Sequence, residues 1–120
     1  MKRATLSPAE IAYLTEERRL GRLATADTDG RPQVTPVGMW RYVPEVGAIE
    51  ISGHDLAATR KFRNVSLNPQ AALVVDDLAP GEGWHPRAVM VEGRAEALEE
   101  DGRGNPVIRI VPDRVISGGL

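Results

Sequence analysis

Three cations, a hydroxyl and a carboxamide fall in one short run, Thr59-Arg60-Lys61-Phe62-Arg63-Asn64, and the only acid between Ser52 and Asn68 is Asp55. Lys is otherwise scarce, Lys2 being the only other one. On a helical wheel Ala58, Phe62 and Val65 face a core, Arg60, Arg63 and Asn64 face away, and Thr59 and Lys61 flank the boundary. Free N–H groups at a helix start and charge-assisted hydrogen bonds together favour a phosphate, so Ser52 to Asn64 is a candidate anion site. The same spacing also describes a solvated basic helix face, and spacing alone leaves both readings open.

Other chemistries are excluded more firmly. The chain has no Cys, which removes disulfides, thiolate metal sites and cysteine nucleophiles. It carries no G-x-x-x-x-G-K loop, no G-x-G-x-x-G turn and no H-E-x-x-H pair. Asp27-Thr28-Asp29-Gly30 lacks the later ligands of a calcium loop and reads as a hairpin turn, so no metal site is expected. Ser52, His54 and Asp55 have the residue types of a hydrolytic triad, but a turn and helix cap account for them better than a line of hydrogen bonds. With no evident acid–base pair, no catalytic side chain is assigned, and redox chemistry would need a borrowed cofactor.

The elements that position this run are short. Ser7-Pro8-Ala9-Glu10 has capping-box spacing with Pro at the first helical position, predicting a helix that ends near Leu20. Leu20–Ala26 and Gln33–Tyr42 read as a β-hairpin around Asp27–Gly30, and Ala48–Ser52 as a strand with Ile49 and Ile51 inward and Glu50 outward. Asp55 is the expected cap of a helix running to Leu67, stopped by Asn68-Pro69. Ala71–Val75 reads as a buried strand, Asp76–His85 as a loop, Arg87–Leu98 as an alternating strand, and Val107–Val111 with Val115–Ser117 as one or two more. Six or seven strands with two short helices predict an antiparallel barrel.

At 120 residues, 42% hydrophobic and 4% aromatic, the expectation is one domain over 1–120, with 1–19 as an N-terminal helix region and a small aliphatic core that a second copy would help to cover. A formal charge of −2 argues against nucleic-acid or anionic-membrane partners. No apolar run in the first 22 residues suits a signal peptide or spanning helix, so a soluble cytoplasmic protein is expected.

In order and spacing, several segments resemble the pyridoxamine 5′-phosphate oxidase-like split-barrel superfamily, and more closely its short deazaflavin-dependent oxidoreductase branch. They are Gly21-Arg22-Leu23-Ala24-Thr25, Asp29-Gly30-Arg31-Pro32-Gln33-Val34, Ile51-Ser52, Thr59-Arg60-Lys61-Phe62-Arg63-Asn64, Asn68-Pro69-Gln70-Ala71 through Asp77, Gly83-Trp84, Val91-Glu92-Gly93-Arg94-Ala95 and Ile108-Arg109-Ile110. The resemblance implies a mainly β, FMN-binding-type split barrel of six to seven antiparallel strands. It also implies a homodimer with the cofactor at the subunit interface. Carried over, Ser52, Thr59, Arg60, Lys61, Arg63 and Asn64 would surround the cofactor's phosphate and acidic tail. Gln33, Val34, Thr35, Pro36 and Val37 would run along its ring, and Trp84 would cover part of the site from the other subunit. A loop aromatic pinning its own barrel end is the other reading of Trp84. The implied activity is hydride transfer from reduced F420 to a small organic acceptor, with an FMN oxidoreductase or a non-catalytic flavin or deazaflavin binder as alternatives.

Overall fold

The computed structural model describes residues 3–120; the predicted N-terminal helix region therefore begins two residues outside it, and Lys2 lies outside the described residues. Seven antiparallel strands form one sheet: β1 (Gly21–Ala26), β2 (Pro32–Val37), β3 (Trp40–Val43), β4 (Ala48–Ile51), β5 (Gln70–Leu78), β6 (Pro86–Leu98) and β7 (Val107–Gly118). Their spatial order is β2-β1-β5-β6-β7-β4-β3. The two edge strands, β2 and β3, are consecutive in the chain and joined only by Gly38-Met39, so the sheet has to curl until its edges nearly meet. The expected split barrel is present: a chain link, not a hydrogen-bonded ladder, joins β2 to β3.

The core is aliphatic, as the composition requires. Leu23, Ile49, Ile51, Leu73, Val75, Val89, Val91, Ile108 and Ile110 alternate along their strands onto one inner face and are almost wholly buried. Gly93 marks a bulge between β6 and β7, where a Cβ would lie 2.0 Å from the carbonyl oxygen of Val111.

Two helices plug the barrel. In α1 (Pro8–Glu16) the Ser7 hydroxyl accepts from the Glu10 N–H and the Glu10 carboxylate accepts from the Ser7 N–H, the capping box read from the sequence. The helix stops at Glu16, short of the expected Leu20. Tertiary bonds draw the next residues out: Arg18 donates to the Gly38 carbonyl, Arg19 to Asp77, and the Trp40 indole to the Arg19 carbonyl. The second helical segment also departs from expectation. Asp55 adopts a left-handed φ of 48° and caps nothing; a single 3-10 turn (Leu56–Ala58) follows, and α2 is Arg60–Leu67. Its cap is Thr59, extended and accepting from the Phe62 N–H at 3.3 Å. Leu56 is buried in the place predicted for Ala58, which is exposed.

Three further expectations are corrected. The predicted Gln33–Tyr42 strand is two strands on opposite sheet edges, and β5 continues through Asp76 and Asp77 into what was expected to be loop. Val107 to Gly118, expected as one or two strands, is a single one. Glu50, expected outward, is 4% exposed, and its carboxylate accepts from Arg41 and Arg109, its register partners on β3 and β7.

Candidate functional site

At the α2 end of the barrel, two side-chain bonds tie the helix and its C-cap to the β1–β2 hairpin, and a third continues across the hairpin. Asn64 is 4% exposed, not outward-facing as the wheel suggested, and its side-chain Nδ2 donates to the Thr25 hydroxyl at 3.1 Å. Phe62 and Val65 keep the core side of α2, and Asn64 is buried with them. Thr25 in turn donates to Gln33 Oε1 at 3.4 Å, across the β1–β2 register. Asn68 Nδ2 donates to the Asp27 carbonyl at 3.2 Å. The Asp27 carboxylate is committed to its own turn, accepting from the Asp29 and Arg31 N–H groups at 2.9 Å each. Its pKa is held below the usual value first by the Arg31 N–H, then by the Asp29 N–H, with the Arg31 and Arg60 cations adding to them.

The cations of α2 are left open. Arg60 and Arg63 are exposed and Lys61 is half-buried, and none has an acid within salt-bridge distance among the described residues. Lys61 and Asn64 are three residues apart on one helix face. Thr59 is spent structurally: its hydroxyl donates to the Leu56 carbonyl at 2.6 Å while capping α2. Ser52 sits apart, in a hollow of about 310 Å³ with Arg41, Glu50, Arg103 and Asn105.

The strand Gln33 to Val37 is one of the two edges of the sheet, so its alternate backbone polar groups face away from β1 without a ladder partner. Its side chains divide between two faces. Gln33 and Thr35 are half-buried and Val37 is buried on the inner side, whereas Val34, 69% exposed, and Pro36 point outward. That outward face continues across the sheet through Ala24, Ala72, Val74, Met90 and Ile116. It includes a concavity of about 630 Å³, lined by Ala24, Ala26, Pro32, Ala72, Glu92 and Arg94 among others, but by none of the α2 cations. Trp84, at the tip of the β5–β6 hairpin, is 77% exposed and so pins no part of its own barrel. The structure therefore brings Gln33, Asn64 and the α2 cations to one end, with β2 leading away from them. It keeps Ser52 and Trp84 out of that cluster.

The residue the sequence reading passed over is Thr25, 4% exposed and bonded to both Asn64 and Gln33. Its signal was present: a polar residue at an inward position of the alternation Gly21, Leu23, Thr25.

The sequence matches the pyridoxamine 5′-phosphate oxidase family over residues 7–115. The chain belongs to that family. Within similar proteins, a 5a,11a-dehydrotetracycline/5a,11a-dehydrooxytetracycline reductase of Streptomyces rimosus is 40% identical over a 117-residue alignment that covers 92% of this chain and 81% of the relative. Among solved structures, an FAD-binding protein of Mesorhizobium loti superposes with a TM-score of 0.69 at 25% identity, covering 95% of this chain and 93% of that one. An F420 reductase shares the fold, with a TM-score of 0.65 at 21% identity over 88% of this chain and 94% of its own. The pyridoxamine 5′-phosphate oxidase split barrel is thus the scaffold on which β2 and α2 are set.

Proposed function

We propose that this protein is a cytoplasmic, homodimeric oxidoreductase that uses reduced F420 to transfer a hydride to a small organic acceptor. The observation that carries the reading is the 40% identity to a reductase of a polycyclic substrate over nearly the whole chain. The residues present fit such a cofactor: three unpaired cations on α2 suit a phosphate with further carboxylates, and a free strand edge suits the polar rim of a flat ring. When bound, reduced F420 supplies the hydride. Lys61, with Arg60 and Arg63, would hold the anionic end, and the backbone of Gln33 to Val37 would orient the ring. No side chain is assigned to proton transfer, because positioning in a dry groove supplies a large share of such a rate.

A second copy would provide the missing wall. The outward face carries Val34, Ala24, Ala72, Val74, Met90 and Ile116 beside the charged Arg22, Glu92 and Arg94, no other element of the described chain pairs over it, and Trp84 is itself largely exposed. Sedimentation at micromolar concentration tests the dimer: a strict monomer that still binds cofactor tightly rejects the shared groove. The visible absorbance of F420, which is lost on reduction, returns as the reduced cofactor is oxidised, so turnover is followed as a rise in that absorbance. Steady-state oxidation of reduced F420 in the presence of polycyclic enone acceptors is expected. Tight binding with no turnover on any acceptor would leave a carrier as the better description.

A further inference from the structure

The buried link from α2 to β2 has a direction, and the direction decides what Gln33 offers to a ligand. A carboxamide nitrogen can only donate, so the Thr25 hydroxyl oxygen accepts from Asn64 Nδ2 and its own hydrogen turns toward Gln33 Oε1. Gln33 thereby has its oxygen committed inward. Its Nε2 has no hydrogen-bond partner among the described residues, and Gln33 stands half-exposed on the edge strand with no further strand beyond it. We infer that Thr25 and Asn64 are positioning residues that hold the Gln33 carboxamide with its N–H groups outward, as a donor for an acceptor atom on the rim of the ring bound along β2. This rests on the reading that β2 receives the ring, and it adds the specificity: the site selects a ring edge bearing a carbonyl or pyrimidine-type acceptor over one bearing a donor. The relay also joins the helix that holds the anion to the strand that holds the ring, because Lys61 and Asn64 share a face of α2.

The test uses the 120-residue chain and two cofactor probes, F420 and FMN, which both carry carbonyl acceptors on the outer ring. Thr25→Val keeps the shape of the side chain and removes the hydroxyl; Thr25→Ser restores it. Asn64→Asp can only accept, so it reverses the hydroxyl and turns the Gln33 oxygen outward. Fluorescence titration should show about tenfold weaker binding of both probes in Thr25→Val, recovery to within about twofold in Thr25→Ser, and more than tenfold weakening in Asn64→Asp. In the apo protein, the Gln33 and Asn64 side-chain amide resonances should both move in Thr25→Val and return in Thr25→Ser, a readout independent of any cofactor. Unchanged affinity in a folded Thr25→Val variant, beside a wild type that binds, overturns the relay and leaves the cofactor reading intact. Amide resonances that move as expected in a wild type that binds neither probe overturn the cofactor reading and, with it, the role given to Gln33.

Discussion

The two ends of the barrel handle charge in opposite ways. At the α1 end, Asp77 accepts from the Tyr13 hydroxyl at 2.9 Å, from Arg19 Nε at 2.9 Å, and from Arg87 at 2.9 and 2.6 Å. The Arg19 guanidinium lies 3.9 Å from the centre of the Tyr13 ring. Asp77, Arg19 and Arg87 thus all have protein partners, and the Arg19 side chain is only 6% exposed. At the α2 end, Arg60, Lys61 and Arg63 have none among the described residues, although the helix that bears them is fastened by side-chain bonds to Thr25 and to the Asp27 carbonyl. Satisfied charge is read here as structure and unsatisfied charge on a fixed element as provision for a ligand. Substitutions at the first end should therefore cost stability, and those at the second should cost binding.

The largest effect is expected at Asp77. Replacement by Ala strips Arg19 of its partner while leaving it covered, which should cost about 3 kcal/mol in denaturant unfolding with little change in cofactor affinity. The pH dependence has a definite sign. Its partners, Arg87 first and then Arg19 and Tyr13, hold the Asp77 carboxyl well below the usual carboxylate range. Its contribution is present above the unfolded value near pH 4 and is lost as pH falls below that, so acid unfolding should be blunted in Asp77→Asn. Tyr13, pushed up to about 12 by burial and by its bond to Asp77, acts in the opposite direction. Its share is whole below about pH 10 and disappears as pH rises toward 12.

At the other end, Lys61→Ala should weaken cofactor binding by about one to two decades, from the loss of a charge-assisted contact of about 1 to 3 kcal/mol, with unfolding shifted by less than about 0.5 kcal/mol. A variant that unfolds more readily but binds normally would make Lys61 a structural cation like Arg19. Trp84→Ala is expected to leave stability unchanged, since the ring is 77% exposed in one chain, and to lower affinity several-fold if the partner's groove needs it. The smallest effects fall to Arg60→Ala and Arg63→Ala: a loss of several-fold for F420, whose tail carries carboxylates beyond the phosphate, and less for FMN, which has no tail.

What could be read from the sequence follows the same division. The Ser7 capping box, the Asp27 turn and the alternation of Val89, Val91, Gly93 and Ala95 are local, and each matches the structure. The cation run on α2 was legible because nothing in its neighbourhood neutralises it. Features made by distant partners were hidden. Glu50 is buried by arginines on two other strands, α1 is cut short by Asp77 and Trp40, and Asn64 turns inward onto Thr25 of β1. Thr25 could be placed on an inward face by periodicity alone, but its two partners, on another strand and a helix, could not.

The central claim is that the unpaired cations of α2 and the free edge of β2 form a site for a deazaflavin. Its most direct measurement is a fluorescence titration of F420 and of FMN into the same apo protein, with Lys61→Ala alongside. The account predicts tighter binding of F420 than of FMN, and a Lys61→Ala variant that is folded and weakened for both. FMN binding as tight as or tighter than F420, with no differential effect of Arg60→Ala or Arg63→Ala, would contradict it and make this family member an FMN enzyme.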